Sequence, residues 1–162
     1  MFSEEKNDTM EIIKCNHTHT GIVTDLVIEL LKDFNERSGS NFIIDRNYIL
    51  ETTNKLIDRA SFGCYVAFEN EFPVGLITIA HSFAIYNGGD FGVITELYVG
   101  REQRSRGIGQ LLLEKAYEFA KQHNWTKLEV GAPTKSEWPR TIEFYKENGF
   151  EEKGPKLRIN IV

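Results

Sequence analysis

Arg104-Ser105-Arg106-Gly107-Ile108-Gly109 follows an apolar run, Val93-Ile94-Thr95-Glu96-Leu97-Tyr98-Val99, and leads into an amphipathic segment, Ile108 to Ala120. Strand, glycine-bearing turn and helix N-terminus in that order present unpaired backbone N–H groups to an anion. The first helical turn has no intrahelical acceptor for those groups, and the helix dipole adds partial positive charge there. Gly107 and Gly109 carry no Cβ, so a bulky anion can come close to the backbone. Arg104 and Arg106 add cationic charge. The stretch reads as a diphosphate cradle.

Two common phosphate motifs do not fit. A P-loop requires lysine directly after its second glycine, and neither Gly107 nor Gly109 is followed by one. A dinucleotide fingerprint requires a third glycine where Leu112 stands, and a tight turn straight after the strand, whereas seven residues separate Val99 from Gly107. Arg-x-x-Gly-x-Gly after Leu97-Tyr98-Val99, followed by Leu111-Leu112-Leu113, instead resembles the acyl-CoA motif of the GNAT superfamily of acetyl-CoA-dependent N-acetyltransferases. A second block, Thr141-Ile142-Glu143-Phe144-Tyr145-Lys146-Glu147-Asn148-Gly149-Phe150, resembles that family's Phe-Tyr-x-x-x-Gly-Phe signature. The resemblance covers Gly92 to Phe150, with the acyl-CoA motif over about 92–123 and the C-terminal motif over about 127–150. The N-terminal half agrees in its order of elements.

Composition bounds the remaining choices. A chain of 162 residues suits one domain, 1–162, with a sizeable core. Hydrophobic residues at 41% and charged residues at 27% describe an ordinary globular protein, and a net charge of -5 without a basic face argues against a nucleic-acid partner. The acidic balance suits a cationic substrate such as an amine, and equally a solvated acidic surface. Cys15 and Cys64 make neither a disulfide framework nor a metal site, and they read as small buried hydrophobes in strands. His17 and His19 are too isolated to name a metal site. No leader and no run of 18 apolar residues is present, so the expectation is a cytoplasmic protein with no membrane partner and no metal.

Periodicity orders the elements. Met10 to Cys15 reads as a strand, Gly21 to Asn35 as a helix with Thr20 as N-cap, and residues 36–41 as a loop. Arg46 to Ala60 reads as a helix capped by Asp45. Gly63 to Glu69 and Pro73 to Phe83 form a hairpin around Asn70-Glu71. Asn87-Gly88-Gly89-Asp90 is a turn before the strand Phe91 to Val99. In the next helix Ile108, Leu111, Leu112, Ala116, Phe119 and Ala120 share a face. Lys127 to Gly131 reads as a buried strand and Glu137 to Asn148 as a helix stopped by Gly149. Phe150 to Val162 holds one or two closing strands that would suit a homodimer contact. The series is an α/β fold whose mixed, mostly antiparallel central sheet is flanked by helices, the order the GNAT resemblance also implies.

The resemblance assigns roles. Backbone N–H groups of Arg104, Ser105, Arg106, Gly107, Ile108, Gly109 and Gln110 would contact the acetyl-CoA diphosphate. Leu97, Tyr98 and Val99 would bind pantetheine as though it were another strand, where their strand splays from its neighbour. Glu96 matches the family's general base, and Tyr145 its acid beside the thioester sulfur. A strand carboxylate can also be structural, and Phe144 and Tyr145 can also be core aromatics. Three positions depart from the pattern: Arg101 where the loop usually begins with proline, Trp138 where asparagine is often found, and Thr141 in place of a small alanine. Trp138 reads either as packing or as an acceptor wall, and residues 20–60 with Phe34, Tyr48 and Tyr86 would line the acceptor side. The function expected is transfer of an acetyl group to a primary amine of a small molecule or peptide by direct attack. The alternative is an inactive acyl-CoA-binding sensor or partner subunit, and a nucleotide-dependent methyltransferase or dehydrogenase is a third reading.

Overall fold

Alternating apolar residues make β1 (Met10–Lys14), β2 (Phe62–Glu69), β3 (Phe72–Ala84) and β4 (Gly89–Val99), each antiparallel to the next. The sheet closes with the short β5 (Leu128–Val130) beside β4, in the order β1-β2-β3-β4-β5. Asn70 and Glu71 take left-handed backbone (φ 49° and 69°), which matches the twist of the β2–β3 hairpin they join. The computed structural model describes residues 9–133, 136–154, 157 and 159–161. They fall into two compact units, one ending at Glu129 and one beginning at Val130.

In the first unit the period of two along each strand separates two faces. Cys64, Val66, Leu76 and Tyr98 point to a core shared with Val23, Leu26 and Leu30 of α1 (Thr20–Ser38) and with Ile57, which follows α2 (Arg46–Leu56). The opposite face packs on α3 (Ile108–Gln122): Phe119 meets Tyr65 edge-on at 6.4 Å, and a Cβ on Gly63 would touch the Phe119 ring at 3.1 Å. Leu112, Leu113, Ala116 and Phe119 have no exposed surface, so α3 is the helix most completely committed to the sheet.

Several boundaries move for local reasons. Asn16 caps a short 3-10 turn, His17–His19, which leads directly into α1; Thr20 is therefore inside the helix, and its hydroxyl donates to His17 O at 2.7 Å. α1 runs three residues into the expected loop, to Ser38, and stops at Gly39, whose φ of 60° is left-handed; residues 39–41 are non-helical as expected. α2 begins as expected, with Asp45 accepting from Asn47 N–H and Tyr48 N–H, but ends at Leu56. A 3-10 turn, Ile85–Asn87, precedes β4, and Gly89 already lies in the strand. On α3 Leu113 is buried, while Leu111 is 39% exposed. β5 is shorter than Lys127 to Gly131, and its residues are half-buried or exposed.

The second unit carries α4 (Pro139–Glu147), with proline in its first turn, where no N–H partner is needed. Glu137 lies outside the helix. Phe150 N–H bonds Tyr145 O and Gly149 N–H bonds Lys146 O, both at 3.0 Å, and the Tyr145 and Phe150 rings meet at 5.3 Å. With Gly149 at φ 87°, this is a Schellman stop with its hydrophobic contact. Described residues 150–154, 157 and 159–161 form no strand, contrary to the expected closing strands; positions 155, 156, 158 and 162 of that expectation lie outside the described residues.

Candidate active site

β4 places Glu96 through an irregularity in its ladder. Thr78 of β3 pairs with Glu96 and the next residue, Ile79, pairs with Ile94, so Thr95 is an extra residue. Such a bulge re-aims the side chains beside it. The Thr78 hydroxyl accepts from Glu96 N–H at 2.9 Å and donates to the Glu96 carboxylate at Oε2. Thr95 Oγ1 donates to the same oxygen at 2.7 Å. Thr78 is 2% exposed, so the carboxylate is oriented from inside the sheet while Glu96 itself is half-buried.

Cys64 lies beside Thr78 in the same cross-strand row, and Cys15 N–H donates to Cys64 O at 2.8 Å. Both thiols are free and buried. A side-chain hydrogen bond between the Cys15 and Cys64 thiols, followed by burial, pushes the Cys64 thiol far above its ordinary pKa, so it carries no thiolate character at neutral pH.

After Val99 the chain makes a 3-10 turn, Arg101–Gln103, passes through extended Arg104, and takes left-handed backbone at Ser105 (φ 62°) and Gly107 (φ 82°). A Cβ on Gly107 would meet nothing within 4 Å, so glycine is required there by its dihedral angle and not by crowding. No side chain caps α3, whose first bond beyond Gly107 is Leu111 N–H to Gly107 O at 3.1 Å. Ile108, Gly109 and Gln110 thus present the donors of an uncapped first turn. Residues fitting an anion are therefore present at this helix end.

The arginine side chains near the loop are held in ion pairs. Arg104 Nε donates to Val99 O at 3.0 Å and its Nη2 to Asp33 at 2.9 Å. Arg106 pairs with Glu69. Arg101 pairs with Asp33 at 3.0 Å and with Glu36. Asp33, on α1, is 4% exposed; burial alone would raise its pKa, but hydrogen bonds from Arg104 and Arg101 hold it below the ordinary carboxylate value. A cleft of about 300 Å³ lies here, lined by Glu29, Lys32, Asp33, Glu36, Tyr98 and Arg101.

The first unit thus brings Glu96, Leu97, Tyr98, Val99 and the 104–110 loop onto consecutive elements. Tyr145 belongs to the second unit, where it is buried against Phe144 and Phe150, and desolvation pushes its phenol pKa well up. Trp138 is 5% exposed, as a packing residue would be. Of the aromatics expected on the acceptor side, Phe34 packs against the core and Phe42, while Tyr48 and Tyr86 are largely exposed. Among the described residues no group of His, Cys, Asp and Glu has metal-site geometry, and no helix is long and apolar enough to cross a membrane.

Known proteins share the sequence family and the fold. An uncharacterized N-acetyltransferase of Methanocaldococcus jannaschii is 36% identical over 101 residues, covering 60% of this chain and 43% of its own length. The chain therefore spans less than half of that relative. A predicted acetyltransferase of Clostridium acetobutylicum, solved with acetyl-CoA, superposes with a TM-score of 0.76 at 22% identity, over 94% of this chain and 96% of that one. An aminoglycoside N-acetyltransferase in complex with CoA superposes with a TM-score of 0.79 at 14% identity, over 97% of each chain. At these identities the two structures show a shared fold. The model of the acetyltransferase (GNAT) family matches residues 24–150, and the chain belongs to that family.

Proposed function

We propose that this chain is an acetyl-CoA-dependent N-acetyltransferase acting on a primary amine of a small molecule or peptide, by direct attack in a ternary complex. The observation that carries this reading is the uncapped start of α3 behind left-handed Gly107, directly downstream of the strand that bears Glu96. Backbone N–H groups from Arg104 to Gln110 would hold the diphosphate of acetyl-CoA, which supplies the activated acetyl group. β5, three residues long and entered where Gly92 N–H bonds Lys127 O (3.0 Å), leaves Leu97–Val99 without β5 beside it. That edge suits the amide groups of pantetheine.

An amine near pKa ~10 is mostly protonated at neutral pH, so the reaction needs a proton acceptor. Glu96, oriented by Thr78 and Thr95, takes that proton through a water. The freed nitrogen bonds the thioester carbonyl carbon as the C–S bond breaks; Tyr145 O–H gives its proton to the departing sulfur, and the second proton of the attacking nitrogen leaves through water, restoring the phenol. Burial of Tyr145 favours the protonated phenol this role needs. Burial of both cysteines speaks against an acetyl-cysteine intermediate. Support for the N-acetyl assignment also comes from the relatives named as N-acetyltransferases.

The test is amine-dependent thiol release with mass analysis of the acceptor, in wild type and Tyr145→Phe. Loss of general acid catalysis is expected to cut kcat by about 10²-fold or more with acetyl-CoA affinity retained. Equal turnover in Tyr145→Phe removes the acid role. Acetyl-CoA binding without turnover on any amine would instead favour a binding subunit.

A further inference from the structure

The loop that would hold the diphosphate has little of its own to fix its shape. Ser105, Arg106 and Gly107 are exposed, and Ser105 sits in a left-handed conformation that strains a non-glycine residue. Strained backbone persists only where its surroundings over-determine it. Here the restraint comes from outside the loop. Each Asp33 oxygen holds a different arginine: Oδ1 accepts from Arg101 Nε and Nη2 at 3.2 and 3.0 Å, and Oδ2 accepts from Arg104 Nη2 at 2.9 Å. Arg101 opens the 3-10 turn and Arg104 follows it, so one planar carboxylate sets the spacing of the two ends of that turn. Arg37 also donates to Oδ2, at 3.3 Å, and Arg104 Nε ties back to Val99 O at 3.0 Å.

We propose that Asp33 is a positioning residue for the acyl-CoA loop: through Arg101 and Arg104 it holds the backbone donors of residues 104–110 in the arrangement that binds acetyl-CoA. This inference rests on the proposed function. It makes a prediction opposite in sign to simple electrostatics. Asp33 is an anion near an anion site, so its neutralisation should tighten acetyl-CoA binding if charge alone mattered. If Asp33 acts by positioning, neutralisation weakens binding.

The experiment compares wild type, Asp33→Asn, Arg101→Gln and the double variant by calorimetric titration with acetyl-CoA, steady-state kinetics, and backbone ¹⁵N relaxation. Asp33→Asn is expected to raise the dissociation constant and KM for acetyl-CoA about tenfold, with kcat at saturation within about twofold. The double variant is expected to bind no more weakly than the weaker single variant, because both break one unit. Order parameters over 101–107 should fall from about 0.85 toward 0.6 in Asp33→Asn. Unchanged or tighter binding, additive losses, or unchanged order parameters overturn the proposal. If Asp33→Asn does not fold, Arg101→Gln, altered at a half-exposed side chain, must show the same KM rise and loop loosening, or the proposal fails. Absence of acetyl-CoA binding in wild type would defeat the proposed function, while the relaxation data would still decide whether Asp33 orders the loop.

Discussion

Thr78 shows how a residue with no chemistry of its own can set up a site. It lies across the β3–β4 ladder from Glu96 and bonds both its N–H and its carboxylate. Thr78→Val keeps the shape but removes the hydroxyl, and a lost hydrogen bond of about 1 kcal/mol corresponds to a five- to tenfold fall in kcat/KM for the amine. Glu96→Gln, which removes the proposed base, should cost about 10²-fold in kcat and leave acetyl-CoA affinity unchanged. Kinetics on the two variants check the order of these effects, and equal losses would argue that Glu96 is structural. Glu96 was legible because a charge in an apolar strand stands out. Its threonine partners were not: Thr78 is 18 residues away, and the bulge at Thr95 depends on strand register, which no local pattern encodes.

At the scale of elements, the signature at the end of α4 has a structural explanation. Gly149 supplies the left-handed stop, and Phe150 packs on Tyr145. The proposed acid role needs only the Tyr145 hydroxyl, so Tyr145→Phe should unfold within about 1 kcal/mol of wild type while losing turnover. The helix start on α3 was equally readable, since strand, glycines and amphipathic run lie within one window of sequence. Its anchor was hidden because Asp33 precedes Arg104 by 71 residues and looks like any acid on a helix surface. The closing strands failed for the opposite reason: alternation in Leu157, Ile159 and Ile161 is a strand pattern, but these side chains are exposed at 90%, 82% and 88%. Asp33 also predicts a pH response. Its folded pKa lies below the unfolded value of about 3.9, so its contribution to stability is complete above that pH and is lost as pH falls through the folded value. Acid melting curves for Asp33→Asn should therefore be flatter than wild type below about pH 4.

For the whole molecule, α3 and the sheet make the core on which the loop depends. Leu112→Ala, at a fully buried position, should cost about 2–5 kcal/mol in chemical denaturation. A ligand that binds only the folded chain should offset part of that loss, by about 2.7 kcal/mol at a concentration 100 times its dissociation constant. The most direct test of the account is calorimetric titration of the wild-type chain with acetyl-CoA, with NAD and S-adenosylmethionine as controls. The account predicts saturable, selective binding of acetyl-CoA; no binding, or preference for either control, would contradict the reading of Arg104–Gly109 as an acyl-CoA cradle.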